Sequence, residues 1–178
     1  MNNRMISALA LCFGVAVTGC TTDKVEGVSE YPVLTKPFYS STLQDEFYDT
    51  PVLVTNDRYG THLVISTDLL FTDPGKSIIN PALYPTLNHV IKVVNRYPTR
   101  KITVAGHTDD ILTVVQQQEI SEQYARSIAN YLLSQGVVGN RITAVRGDAG
   151  RYPISENSHY QGRADNRRIE IILHAQIE

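Results

Sequence analysis

Hydrophobic and polar positions change period several times along this chain, and each change marks an element. Met5 to Val17 is a largely apolar run behind Arg4, whereas Thr21 to about Thr50 shows no sustained period of 2 or 3.6. Pro51-Val52-Leu53-Val54-Thr55 and Thr61-His62-Leu63-Val64-Ile65-Ser66 are β-branched runs around a turn-rich break, Asn56 to Gly60, and predict strand, turn and strand. Leu83, Leu87, Val90, Ile91 and Val94 mark one helical face; Asn80-Pro81 supplies an N-cap and first-turn proline, and Tyr97-Pro98 ends the helix. Pro85 delays the regular part of that helix. Lys101 to Gly106 reads as a short buried strand, and its place after a helix predicts a right-handed crossover to a neighbouring parallel strand.

Thr113-x-x-Gln116 is a capping-box pattern opening a second helix, with Ile120, Tyr124, Ile128, Tyr131 and Leu132 as its apolar stripe and Gln135-Gly136 as its stop. Arg141 to Val145 is a third core strand, Gly147 to Gln161 a polar loop, and Arg167 to His174 a final strand closing the sheet. The sum is an α/β sandwich, a mixed βαβαβ-type sheet with helices on one face. The expected organisation is a signal peptide over residues 1–19, a tether over 20–50 and one domain over 51–178.

Composition narrows this picture. At 178 residues the chain has room for one ordinary domain besides a leader and tether. Its formal net charge of −2 gives no global reason to expect nucleic acid or anionic lipid as a partner. The apolar leader is too short to span a bilayer and fits a secretory signal. Val17-Thr18-Gly19-Cys20 fits a bacterial lipobox, so cleavage would leave Cys20 N-terminal and diacylated. Cys12 leaves with the leader, and the remaining 178 − 19 = 159 residues keep Cys20 as their one cysteine, which excludes an intramolecular disulfide. Aromatic residues from Tyr31 to Tyr48 exceed what a solvated spacer needs, so part of the tether is open to docking on the domain or on a partner.

The chemistry concentrates at two places, Gly106-His107-Thr108-Asp109 at a strand end and Gly162-Arg163-Ala164-Asp165-Asn166-Arg167-Arg168-Ile169-Glu170-Ile171 before the last strand. His107 and Asp109 have no third ligand at a recognisable metal spacing, and His107 is expected to be a buried, hydrogen-bonded histidine. No nucleophile elbow, phosphate loop or His-Glu-x-x-His pattern occurs, so neither catalysis nor a cofactor is expected. Arg146-Gly147-Asp148 reads as a turn after a strand.

Asp68-Leu69-Leu70-Phe71, Gly106 to Asp109, Ile120-Ser121 with Ala125, and Asn157 followed by Gly162-Arg163 and Asn166-Arg167-Arg168 stand in the order found in OmpA-like peptidoglycan-binding domains. From about Leu63 to Leu173 the chain resembles that family. The resemblance implies a socket for the diaminopimelate side chain of the peptidoglycan stem peptide, with Asp109, beside Thr108, receiving the ammonium. The family's arginine falls on Tyr124, which donates a hydrogen bond but brings no charge. Arg126 lies about 200° around the helix and is no substitute. Leu112 stands where the family has a glycine, and Ile111 to Val115 make an apolar rim. Arg163 and Arg167 match positions near the socket, and Asn166 is open to two roles, ligand contact or turn cap. Pairing of Arg163 to Arg168 with Asp165, Glu170 and loop carbonyls is the expectation for at least one of them.

With Thr21, rather than aspartate, after Cys20, the resemblance implies an outer-membrane lipoprotein with its domain in the periplasm. The expected function is noncovalent peptidoglycan binding that anchors an envelope complex to the wall. The alternative is a structural subunit of a secretion-system outer-membrane complex with a degenerate socket. Small lipoproteins of type IVB secretion systems look similar, which would make core-complex proteins its partners.

Overall fold

The computed structural model describes residues 43–176; the expected leader, Cys20 and the first part of the tether lie outside them. In chain order the elements are α1 (Leu43–Glu46), β1 (Leu53–Asp57), β2 (Gly60–Ser66), α2 (Thr67–Leu70), α3 (Tyr84–Asn95), β3 (Ile102–His107), α4 (Val114–Ser134), β4 (Ile142–Ala149), α5 (Tyr160–Asn166) and β5 (Arg168–His174). Asn80 caps the 3-10 turn Pro81–Leu83 that leads into α3, its Oδ1 accepting from the Ala82 N–H. Thr113 and Gln116 form the capping box of α4, and Gly136, at φ 97°, follows its C-cap.

The strand order is β1-β2-β5-β3-β4, with β3 and β4 parallel and the other neighbours antiparallel. The last strand therefore does not close an edge. It lies at the centre, between β2 and β3, so the strand after α3 has no parallel neighbour on that side, against the crossover the sequence predicts. Burial explains the position: Ile169, Ile171 and Leu173 are each 0 % exposed, a degree of apolar cover that a central strand receives and an edge strand does not.

One side of the sheet faces the helices. Leu63, Ile171 and Val104 pair across β2, β5 and β3, and they pack with Leu87, Val90 and Val94 of α3 and Tyr124, Ile128 and Leu132 of α4. At the far end of this face stand Gly106 and Gly147. A Cβ on Gly106 would lie 2.1 Å from the Ser121 carbonyl oxygen, and one on Gly147 2.5 Å from the Glu122 nitrogen. Here α4 touches the strands backbone to backbone, which fixes Tyr124, one turn along α4, relative to Asp109, just past β3.

Three further differences from the sequence expectations have physical causes. The fold begins upstream of Pro51, because Phe47 is 2 % exposed and sits edge-on to His89 at 5.0 Å. Burying one large aromatic draws the end of the expected tether into the core. Arg146-Gly147-Asp148 lies within β4 rather than in a turn, with Arg146 Nε donating to Asp148 at 2.7 Å. The polar stretch before β5 contains α5, which buries only Gly162 and Asn166.

Candidate functional site

Where β2, β3 and β4 reach their C-terminal ends and β5 begins, a cavity of about 540 Å³ opens, bordered by Asp68, Phe71, Thr108, Asp109, Tyr124 and Arg167, among others. Arg167, the C-cap of α5, organises its charge. Its Nε and Nη2 donate to the two oxygens of Asp68 at 2.9 and 2.6 Å, and Nη1 donates to Asp109 at 2.6 Å. The bond to Asp68 first, and that to Asp109 against the opposing effect of burial, raise the guanidinium's pKa, so it stays charged. Three of its five N–H donors are used here, leaving two. The second oxygen of Asp109 accepts from the Ile111 N–H at 3.2 Å, and its side chain is only 9 % exposed.

Thr108 is 7 % exposed, and its Oγ1 has no hydrogen-bond partner among the described residues. Its backbone N–H donates to Ala149, a non-glycine residue in the left-handed region at φ 50°. Such a conformation costs on the order of 1 kcal/mol and persists because Ala149 is held from both sides, its own N–H donating to Ser121 Oγ at 3.1 Å.

Tyr124 forms the apolar wall. It stacks on Phe71 with ring centroids 4.0 Å apart, and its Oη accepts from the Gly75 N–H at 2.8 Å. Gly75 has φ 79°, which suits glycine in the loop that carries this donor. The phenol hydrogen remains available to donate. Leu112 also borders the cavity, while Ile111, Val114 and Val115 stand outside it, 67 %, 76 % and 66 % exposed.

The remaining residues picked out by sequence are held elsewhere. Asn166 is 0 % exposed and uses its whole amide: Oδ1 accepts from the Ile154 and Ser155 N–H groups, and Nδ2 donates to Ser155 O and Asn157 Oδ1. It braces the loop behind the cavity and does not border it. Arg163 donates to the Asn157 carbonyl at 2.7 Å and is likewise outside. Arg168 points to the opposite sheet face, bound to Glu170 and the Tyr152 and Asn166 carbonyls, as one of the expected self-pairings.

His107 is buried but, against expectation, has no hydrogen bond to either ring nitrogen; Glu170 and Asp148 lie 3.6 and 3.9 Å away. Burial, then the charge of Arg168, lowers its pKa to about 4, so the ring is neutral near pH 7. Among the described residues no group of three His, Cys, Asp or Glu side chains is placed to hold a metal ion, and no helix is long and apolar enough to cross a membrane. The site residue that the sequence does not single out is Asp68. It stands 99 positions before Arg167, and its only signal was membership of the Asp68-Leu69-Leu70-Phe71 motif.

Five strands in this order, with helices on one face, give the fold of an OmpA-like domain. Residues 71–167 match the OmpA family, and the chain belongs to it. It is 35 % identical over 132 residues to the probable lipoprotein YiaD of Escherichia coli, covering 74 % of this chain and 59 % of that one. It is 36 % identical over 105 residues to the peptidoglycan-binding protein ArfA of Mycobacterium tuberculosis, covering 59 % of this chain and 32 % of ArfA. The chain thus spans less than two thirds of either relative. Among solved structures, the cell wall anchor of the T6SS from Pseudomonas aeruginosa is similar with a TM-score of 0.65 and 25 % identity, over 76 % of this chain and 98 % of that one.

Proposed function

We propose that the domain binds peptidoglycan noncovalently, taking the diaminopimelate side chain of the stem peptide into the cavity at Asp109. The single observation that carries this reading is the cluster itself: two carboxylates and a guanidinium meet beside the unpartnered Thr108 hydroxyl in one cavity. An amine entering there finds carboxylate oxygens of Asp109 and Asp68, and charge-assisted bonds of that kind are among the stronger polar contacts. The ligand's carboxyl end falls toward the two spare Arg167 donors and the Tyr124 hydroxyl. ArfA, by its name, binds peptidoglycan, and the P. aeruginosa structure is a cell wall anchor, which supports the same class of partner here.

In this reading the role is attachment rather than catalysis. Diacylated Cys20 would hold the chain in the outer membrane with the domain in the periplasm, tying an envelope complex to the wall. Co-sedimentation with purified sacculi tests it: the full chain pellets with the wall, and Asp109→Ala, checked for folding by circular dichroism, stays in the supernatant. Equal pelleting of both, or of neither, would sink the proposal.

One observation favours a second reading. Tyr124 is neutral and engaged with Gly75, and the rim from Ile111 to Val115 is exposed and apolar, as suits a structural subunit of a secretion-system outer-membrane complex. The IcmN/DotK component of type IVB systems is the candidate of that kind, with core-complex proteins as partners. Crosslinking in cells separates the readings, since a structural subunit remains in a stable complex when Asp109 is replaced.

A further inference from the structure

Charge in the cavity does not balance. Asp68 and Asp109 contribute two negative charges and Arg167 one positive, leaving an excess of one carboxylate. Asp73 also borders the cavity, but Lys76 meets it at 3.2 Å. Arg167 is the only lysine or arginine among the described residues that line the space, and the tyrosines that border it, Tyr124 and Tyr160, add no charge. Thr108 offers a buried hydroxyl without a partner, so the site also has an unmet need for a polar contact.

We infer that the cavity selects a stem-peptide side chain whose amine is charged and whose neighbouring carboxyl is neutral: amidated diaminopimelate in preference to the free zwitterion. This rests on the peptidoglycan reading above and names the form of ligand that reading leaves open. A ligand of charge +1 brings the Asp68–Asp109–Arg167 cluster to zero, whereas the zwitterion leaves the excess carboxylate uncompensated and adds another next to it. The carboxamide also suits the donors and acceptors at hand. Its oxygen accepts from the Tyr124 hydroxyl, which already serves Gly75 as an acceptor and has its hydrogen to give. Its NH₂ has acceptor lone pairs on Asp68 and Thr108 within the same lining. A free carboxylate could use only the donors, the two spare Arg167 N–H groups and the hydroxyls of the lining, and would stand among carboxylates in a partly enclosed space where like charges repel strongly.

Calorimetric titration of the full chain in detergent solution tests this with three synthetic tetrapeptides: one with meso-diaminopimelate, one with its side-chain carboxyl amidated, and one with its side-chain amine acetylated. The amidated peptide is expected to bind tighter than the free acid by roughly tenfold or more, given the strength of charge-assisted contacts, and the acetylated peptide not to bind. Tyr124→Arg supplies the missing cation and reverses the order. If that variant does not fold, Asp68→Asn serves instead, since Asp68 is 43 % exposed at its side chain and its loss brings the charge count to zero, narrowing the preference. Equal or tighter binding of the free acid by the wild type overturns the inference while leaving peptidoglycan binding in place. No binding of any peptide overturns both.

Discussion

Replacing Asn166 with alanine separates bracing from binding at the motif that most marks this chain. Asn166 is fully buried and makes four hydrogen bonds, two accepted from the backbone of Ile154 and Ser155 and two donated to Ser155 O and Asn157 Oδ1. Alanine removes all four. The orphaned backbone groups lie in a loop that water partly reaches, so each lost bond costs nearer 1 than 3 kcal/mol. Four such bonds, summed with the small void left by the amide, bring the destabilisation to about 4 to 5 kcal/mol. For a domain of this size each kcal/mol lowers Tm by roughly 4 °C, so the expected drop is about 15 to 20 °C. Differential scanning calorimetry measures it, and sacculus binding is then assayed well below the new Tm. Binding stays near the wild-type level, because Asn166 does not border the cavity. An unchanged Tm combined with lost binding would refute the bracing role and make Asn166 a ligand contact.

His107 supplies a pH dependence. Its pKa is about 4 in the fold against an ordinary 6.5, mainly through burial, so the unfolded chain takes up the proton first as pH falls. Its contribution is complete above pH 6.5 and is lost between 6.5 and 4, up to about 3 kcal/mol; the stability difference between wild type and His107→Gln should shrink over that window, and a constant difference would contradict the assignment. Gly106→Ala drives a Cβ to 2.1 Å from the Ser121 carbonyl, a backbone contact that no rotamer relieves. It should cost about 3 kcal/mol and weaken sacculus binding as α4 lifts Tyr124 away from Asp109; a Tm within the scatter of wild type would refute the close seating of α4.

Elements with their own local chemistry were legible in the sequence. The capping box at Thr113, the stop at Gly136 and the paired β-branched runs of the hairpin each signal themselves within a few residues. What escaped depends on distant partners. The helix α5 has no apolar stripe, and its Gly162 is demanded by the Glu156 carbonyl, which would lie 1.9 Å from a Cβ there. The central place of β5 follows from pairing on both sides, which no local period encodes. At the site, Asp109, Thr108, Tyr124 and Arg167 were readable from motifs and do meet around one cavity. The partnership of Arg167 with Asp68 was not readable, since only the fold joins a strand exit to a residue 99 positions later. Asn166 and Arg163 sit in the same motif as Arg167 but turn the other way, and sequence adjacency does not reveal that.

The most direct measurement of the central claim is an amide chemical-shift map of the isotope-labelled chain titrated with the diaminopimelate stem peptide in its free and amidated forms. Saturable shifts confined to Thr108, Asp109, Tyr124, Arg167 and the Gly75 loop are the predicted result. Shifts centred on another surface, or none at millimolar peptide, would contradict it.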